Sequence, residues 1–383
     1  MKKLSWNDER VRAWVYQLII LGLVVGCLWY LVDNTLHNLS SRNIQTGFGF
    51  LNKEAGFAIG ESFIHYDLTD TYWQAIQVGI VNTLFVSLVG ILLSTVLGTF
   101  IGIGRLSKNW LVNRLSAVYV EVMRNIPLLI HLFFWYALLT EILPGPRQAL
   151  NPVDGVFLSN RGIKFPALIG TSVEWLLWGV LIAVVLGGLI SCWAKRKQNQ
   201  TGQTTPVLLI NIGVFMLVLL LACAASGFDL QLVKPVLRGF NFEQGWSISP
   251  ELAALLIGLV LYTASFVAEI VRSGIQSVSK GQWEAGASLG LSRSKVLRLI
   301  VMPQAVRVMI PAMSNTFMNF TKNSSLAVAI GYPDIVSIVN TMLTQTGQAI
   351  EAVIIIMLAY FTISISIALF MAWYNHRMAL VER

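Results

Sequence analysis

The chain has 383 residues, of which 55% are hydrophobic and only 12% are charged. A soluble domain carries about 25% charged residues, so the composition excludes an ordinary soluble protein. The formal net charge of +8 would by itself fit a nucleic-acid-binding protein, but in an apolar chain it indicates the cytoplasmic excess of Lys and Arg found in membrane proteins.

Long continuous apolar runs predict an all-α polytopic membrane protein rather than a β-barrel, whose strands would alternate polar and apolar residues. Eight spans are predicted, at residues 13–32, 76–104, 115–140, 174–193, 206–226, 251–271, 304–331 and 350–373. With the N-terminus inside, the inner segments hold 18 of the 27 Lys and Arg residues and the outer segments 7. The positive-inside rule therefore predicts that both termini are cytoplasmic.

The N-terminal run is interpreted as a retained anchor, because it is longer than a signal-peptide core and lacks a small-residue cleavage site. The outer loop after it contains IQTGFGFLNKEAGFAIGE, starting at residue 44. Its Gly-Phe pairs favour a segment that lies on the bilayer surface with its phenylalanines inward. A disordered loop is the less favoured alternative, because disordered segments contain few aromatic residues.

A polar stretch, EAGASLGLSRSKVLRLIVMPQA, lies between the sixth and seventh predicted spans, starting at residue 284. Gly290 is suited to the left-handed cap that ends a helix, and Ser292 can start a second helix over 293–302. Pro303 fits the first turn of the following span. The residues alone leave two functions open: a hairpin at the lipid headgroups, with its bases on anionic lipid, or a helix that docks a cytoplasmic partner.

The stretch resembles the cytoplasmic signature loop of ABC-importer permeases, in which Glu-Ala-Ala is followed at fixed spacing by Gly and by Ile-x-Leu-Pro. The matching positions are Glu284, Ala285, Gly286, Gly290, Ile300, Met302 and Pro303. Gly286 replaces the second alanine and Met302 the leucine, while the spacing is intact. The resemblance implies that the loop at 281–303 inserts its short helix into an ATPase subunit.

The flanking sequence resembles the polar amino-acid uptake permeases, and the extended form resembles their general L-amino-acid subgroup. The blocks that carry this resemblance are NTLFVSLVGILLSTVLGTFIGIGRLSKN, YVEVMRNIPLLIHLFFWY, LYTASFVAEIVRSGIQSVSKGQWEA and TKNSSLAVAIGYPDI. The resemblance implies a five-helix permease core and the following division: 1–75, anchor helix and periplasmic loop; 76–140 and 251–375, the two parts of the core; 141–250, inserted loops and a helix pair; 376–383, a cytoplasmic tail.

The same resemblance implies a bacterial inner-membrane subunit that forms half of a translocation path for L-amino acids. The implied partners are a second, similar but non-identical permease chain, two ATPase subunits and a periplasmic amino-acid-binding protein. No phosphate-binding GxxxxGK[ST] loop, HExxH or paired CxxC motif occurs in the chain. The chain is therefore expected not to be an enzyme and to hold no cofactor or metal, with ATP and Mg bound by the partner ATPases.

Ionisable residues within spans cost several kcal/mol, and they mark candidate sites. Glu121 and Arg124 are three residues apart; they are candidates for the substrate path, with a structural pair between them as the alternative. Glu269 is the candidate for a substrate ammonium group, against the alternative of pairing within the protein.

A second polar group, Lys322, Asn323 and Ser324, could meet a substrate carboxylate, because polar segments at membrane depth line cavities. The inserted pair, 174–193 and 206–226, carries almost no ionisable residues and is expected to be peripheral to the path. The competing function is an ion-gradient-driven secondary transporter that would use Glu121 and Glu269 as coupling carboxylates. That alternative leaves the signature loop without a role.

Overall fold

The computed structural model describes residues 9–41, 46–203, 205–227 and 229–378. The described residues within 1–124 and 260–383 form one compact unit, and those within 125–259 form a second. The helices are α1 (Glu9–Ser41), α2 (Tyr72–Gly104), α3 (Trp110–Asn125), α4 (Leu128–Ala137), α5 (Thr171–Thr201), α6 (Val207–Ala225), α7 (Pro250–Gln276), α8 (Lys280–Ser288), α9 (Arg293–Val296), α10 (Met302–Asn323), α11 (Ile335–Thr346) and α12 (Ala349–Met378).

Seven helices of the described part of the chain are long and apolar enough to cross a membrane, and eight if one interrupted pair counts as a single span. This number confirms the predicted fold class. Residues 1–8 and 379–383, which contribute charges to the orientation argument, lie outside the described residues.

The third predicted span, 115–140, is wrong as one continuous helix. The structure ends α3 at Asn125, starts α4 at Leu128 and places Pro127 at the cap of α4 with extended ψ. Proline has no backbone N–H to donate and disfavours helical geometry at the residue before it. The chain therefore leaves the helix at Ile126 despite its apolar composition.

The second unit contains short β-strands, which the all-α prediction did not include. They are β1 (Leu150–Val153), β2 (Val156–Ser159), β3 (Gly162–Phe165), β4 (Ala167–Ile169), β5 (Gln231–Val233), β6 (Val236–Arg238), β7 (Asn241–Glu243) and β8 (Trp246–Ile248). One sheet has the order β1-β2-β3-β8, and β4-β5 and β6-β7 form two separate antiparallel pairs.

The β3–β8 and β4–β5 pairings join the segment before the inserted helix pair to the segment after it. Between them α5 and α6 form a hairpin, in which Asn211 Nδ2 donates to Ser191 Oγ at 3.0 Å. Phe157 and Phe242 stack with ring centroids 4.5 Å apart. The insertion is therefore a helical hairpin whose flanking loops close on each other as a small strand assembly.

In the first unit, small residues recur every four positions on one face of α2: Gly90, Ser94, Gly98 and Gly102, all buried. A Cβ at Gly98 would lie 2.7 Å from the Ala264 carbonyl oxygen, and one at Gly102 would lie 2.6 Å from the Ala268 oxygen. Such small residues let two helix backbones approach closely. Through Gly98 and Gly102 this face fixes α2 against α7, the helix that leads into the signature loop, while Gly90 lies against Phe320 of α10.

The GFGF segment packs on protein, so the bilayer-surface expectation is wrong for Phe50. Residues Phe48–Asn52 form a short 3₁₀ helix in which Phe50 is buried and makes an edge contact with Tyr72 at 5.7 Å. The Gly47 N–H donates to Glu351 Oε1 at 2.6 Å. Positions 44 and 45 of the loop lie outside the described residues.

Candidate functional site

The signature segment folds as two short helices joined by a tight turn, as the sequence predicts. Gly290 has φ +73°. Its N–H donates to the Ala287 carbonyl, and the Leu291 N–H donates to the Gly286 carbonyl, at 2.9 and 3.3 Å. These two bonds form a Schellman cap, in which the left-handed position favours glycine. The predicted left-handed cap at Gly290 is confirmed.

Gly286, which departs from the family pattern, lies where α8 contacts the second helix. It is buried, and a Cβ there would lie 2.8 to 3.0 Å from Val296 and Ile300 side-chain atoms. A methyl group at this position requires those side chains to shift. The glycine therefore allows α8 to approach the following segment closely, and Ile300, a motif position, supplies part of the contact.

The second predicted helix, 293–302, is present but is not a uniform α-helix. Ser292 precedes α9 as its N-cap, residues Leu297–Val301 form a π-turn, and Pro303 occupies the first turn of α10. In a π-helix each hydrogen bond joins residues five apart rather than four. The wider turn leaves room for the proline ring and for the backbone carbonyl that receives no N–H from the proline. The chain therefore passes from the signature segment into α10 without leaving helical geometry.

One face of α8 is exposed and consists of small and polar residues. Glu284 and Ala285 are exposed, and Leu289 at the tip is 77% exposed. The opposite side, through Gly286, packs on the cluster that contains Val296 and Val301. The segment thus presents a short, rigid, small-residue helix with its base anchored and its tip free.

Glu269 lies in a cluster of charges at the end of α7. It accepts hydrogen bonds from Arg105 Nη1 and from Arg272 Nε, the latter at 3.1 Å to Oε1 and 3.2 Å to Oε2. The side chains of Arg105 and Glu269 are only 19% and 27% exposed. The structure therefore gives Glu269 the intramolecular partners of the alternative interpretation, and its contact with a substrate ammonium stays a prediction.

Glu121 and Arg124 do not form the expected ion pair among the described residues. Both are exposed on α3, and the Arg124 guanidinium lies 5.0 Å from the centroid of the Phe266 ring. Tyr119 of the same helix donates to the Leu261 carbonyl at 2.7 Å. Arg124 thus serves as a cation–π contact between α3 and α7, which the i, i+3 spacing did not indicate.

The predicted polar group at 322–324 divides between two faces. Lys322 is exposed and forms no ion pair with any described residue, and Asn323 is half-buried. Ser324 is 1% exposed, and its hydroxyl donates to the Thr321 carbonyl at 2.7 Å. Ser324 therefore does not share an open face with Lys322.

Two asparagines that the sequence analysis missed share the Lys322 face. Asn315 and Asn319 are exposed on α10, and 315, 319 and 322 follow the i, i+4, i+7 spacing of one helix face. Val308 and Pro311 extend the same face toward the signature segment. The spacing alone could have identified these asparagines. A polar stripe of this kind is too costly to face lipid, so it faces water or another chain.

Asp334 is a buried acid in the loop before α11. It is 1% exposed, accepts from the Ser337 N–H at 2.8 Å and from the Tyr360 hydroxyl at 3.3 Å. Burial raises the pKa of the Asp334 carboxyl to about 7, although these hydrogen bonds oppose the shift. Unlike Glu269, it has no ion pair with a described base.

The chain matches known proteins over its whole length. Residues 198–380 match the family described as binding-protein-dependent transport system inner membrane component. The chain is 45% identical over 377 residues to the general L-amino acid transport system permease protein AapQ of Rhizobium johnstonii, covering 98% of this chain and 94% of that protein.

Two further relatives have similar coverage. The putative amino-acid ABC transporter permease protein YhdX of Escherichia coli is 46% identical over 386 residues, covering 99% of this chain and 97% of that protein. The glutamate/glutamine/aspartate/asparagine transport system permease protein BztB of Rhodobacter capsulatus is 37% identical over 413 residues, with 98% and 96% covered.

Proposed function

The chain belongs to the family of membrane-spanning permease subunits of amino-acid ABC transporters, and from this premise we propose that it forms half of an ATP-driven import path for L-amino acids. The substrate class follows from the names of relatives that align with nearly the whole chain. Those relatives give no support to the ion-gradient alternative.

The observation that carries the proposal is the anchored α8 with its exposed tip. Its base packs on the segment that continues into α10, and its Schellman cap fixes the direction of the turn. A force on Leu289 or Ala285 is therefore transmitted through Gly286, Val296 and the π-turn to a membrane-spanning helix. This arrangement supports docking of α8 into an ATPase subunit that binds ATP and Mg, which this chain is not expected to bind.

The α10 stripe supports a second permease chain. Three polar residues of a membrane-spanning helix are exposed on this chain: Asn315, Asn319 and Lys322. Polar groups at membrane depth must be kept away from lipid, so a second chain is needed to enclose them in a polar path. The chain carries a single signature loop, so the second half is a separate subunit, similar but not identical. A periplasmic amino-acid-binding protein and two ATPases complete the assembly. The complex lies in the bacterial inner membrane, with both termini of this chain in the cytoplasm.

In the path, Lys322 is the group for the substrate carboxylate, assisted by the amides of Asn315 and Asn319. A charge-assisted hydrogen bond in a dry site contributes about 1.5–3 kcal/mol. The ammonium group requires an acid, and Glu269 is the candidate on this chain, although two arginines already hold it. Glu121, exposed on α3, and acids of the second chain are the alternatives.

The test of the coupling role uses Gly290, because no atom lies within 4 Å of a Cβ placed there. Gly290→Val changes only the backbone preference, with a cost of about 1–2 kcal/mol in the left-handed region. Gly290→Asn is the matched control, because asparagine tolerates that region. We expect the valine variant to insert normally but to lose substrate-stimulated ATPase activity in reconstituted transporter.

A second pair of variants separates docking from helix capping. Ala285→Trp adds bulk to the exposed face of α8 and is expected to reduce co-purification of the ATPase subunit. Lys295→Trp adds the same bulk to an exposed position of α9 and is the control. Full ATPase binding and stimulation in both Gly290→Val and Ala285→Trp would refute the coupling role.

A further inference from the structure

A cavity of about 710 Å³ lies beside the base of α8, entirely within the first unit. Its walls come from the end of α2, the turn between α2 and α3, the end of α7, and the start of α8 and α9. None of the residues proposed for the substrate path lines it. It is therefore separate from the α10 stripe and from the exposed tip of α8.

The cavity is lined by three cations and by no acid among its described residues. Lys108 comes from the α2–α3 turn, Lys280 starts α8 and Arg293 starts α9. None of them forms an ion pair with a described residue, and Arg293 lies 5.9 Å from the centroid of the Trp283 ring, which also lines the cavity. Three separate elements thus direct positive charge at one site, which favours an anionic occupant.

Most of the remaining wall is apolar, although Ser107, Gln276 and Ser294 also line it. A mostly apolar wall favours a lipid over a small soluble anion as the occupant. The apolar lining residues are Ile103, Leu106, Val112, Ile275, Val278 and Leu297. Ile103 and Ile275 lie in the last turns of α2 and α7, two membrane-spanning helices. The ends of spanning helices meet the headgroup layer, so the apolar wall lies where acyl chains begin.

The same chemistry argues against a bound amino acid. A zwitterionic amino acid needs an acid for its ammonium group, and the cavity offers none among the described residues. Burying an unpaired ammonium group is costly. The occupant therefore carries net negative charge and an apolar portion.

We infer that this cavity binds an anionic phospholipid of the cytoplasmic leaflet, with its phosphate on Lys108, Lys280 and Arg293 and its upper acyl chain on the apolar wall. The leaflet assignment rests on the proposed function, through the cytoplasmic position of α8. A lipid held there bridges the α2–α3 turn to the bases of α8 and α9. It anchors the coupling segment to the membrane-spanning bundle independently of the ATPase.

The test measures lipid retention on the complete transporter by native mass spectrometry, in detergent supplemented with phosphatidylglycerol or phosphatidylcholine. The triple variant Lys108→Gln/Lys280→Gln/Arg293→Gln removes the charge. Lys195→Gln/Arg196→Gln/Lys295→Gln removes three exposed bases that do not line the cavity and is the matched control. Val112→Trp fills the cavity without changing charge.

Retention of phosphatidylglycerol is expected to fall about tenfold or more in the triple variant and to fall in Val112→Trp, with the control unchanged. Phosphatidylcholine should bind weakly to all forms. Equal loss in the control, unchanged retention in both cavity variants, or displacement by soluble glycerophosphoglycerol at matched concentration would each overturn the inference. Retention requires no ATPase docking, so failure of the coupling role leaves this outcome unaffected.

Discussion

The charge cluster around Glu269 and the polar segment from Asn315 to Asp334 both place ionisable groups in or beside membrane-spanning helices. The two regions differ in whether those groups have charged partners on the same chain. Glu269 is held by Arg105 and Arg272 from its own chain. Lys322 is exposed without an ion pair to any described residue, and buried Asp334 is held only by a tyrosine hydroxyl and backbone groups.

The difference shows that the presence of a charge in a span does not by itself identify a transport site. Glu269 already has two arginines of its own chain as partners, so a substrate ammonium would have to displace one of them, and its contacts as they stand are structural. An open cation or an uncompensated acid is a group whose energy changes when a ligand, a proton or a second chain arrives. The following variants test this division, from the largest expected effect to the smallest.

Glu269→Gln should destabilise the protein by about 3 kcal/mol, because it leaves two partly buried arginines without their counter-charge. Thermal unfolding of purified chain in detergent measures the loss. Glu54→Gln, at an exposed acid, is the control. Adding Arg105→Gln to the variant should recover part of the stability. A stable Glu269→Gln protein with a raised Km would instead place Glu269 in the substrate path.

Asp334 should make stability fall as pH rises. Its folded pKa, about 7, lies above its ordinary value of 3.8, so its stabilising contribution is complete below about pH 4 and is lost as pH rises through 7. Between pH 5 and 8 we expect the free energy of unfolding to fall on the order of 2 kcal/mol. Asp334→Asn should flatten this dependence, and exposed Asp67→Asn should not. A wild-type profile that rises over this range would contradict the assignment.

Lys322→Met should leave folding and basal ATPase activity unchanged but raise the Km for uptake about tenfold or more, which corresponds to one lost charge-assisted contact. Asn319→Leu should act in the same direction with a smaller effect. Lys295→Met, at an exposed base of α9, is the control. Uptake by liposomes that contain the complete transporter is the measurement, and wild-type kinetics in both variants would remove α10 from the path.

Ser324→Ala should cost about 1 kcal/mol of stability without changing the Km, because its buried hydroxyl donates to the Thr321 carbonyl and is also a hydrogen-bond partner of the Tyr360 hydroxyl, both within the protein. Ser325→Ala, whose hydroxyl makes the same kind of bond to the Lys322 carbonyl in a more exposed setting, should cost less. An effect of Ser324→Ala on Km alone would return this serine to the substrate path, as the sequence first predicted.

The sequence predicted features that depend on neighbouring residues. The Gly290 cap, the start at Ser292 and the first-turn Pro303 follow from conformational preferences over a few positions, and all three are confirmed. Pro127 also marks a helix break that local sequence rules predict. The single span 115–140 was predicted instead because the residues on both sides of the proline are apolar. The short strands at 150–169 and 231–248 were missed, because each is only three or four residues long and pairs with distant segments.

The sequence by itself therefore determined the membrane class, the approximate spans, the signature segment and the family, because hydropathy, spacing and local caps are properties of contiguous residues. Only the tertiary structure decided which charges meet. Arg105 and Glu269 are 164 positions apart, and they come together because the glycine face of α2 packs directly on α7. Lys322 and Ser324 do not share a face because residues two apart on a helix point to opposite sides, but only the packing decided that Ser324 is the buried one and Lys322 the exposed one.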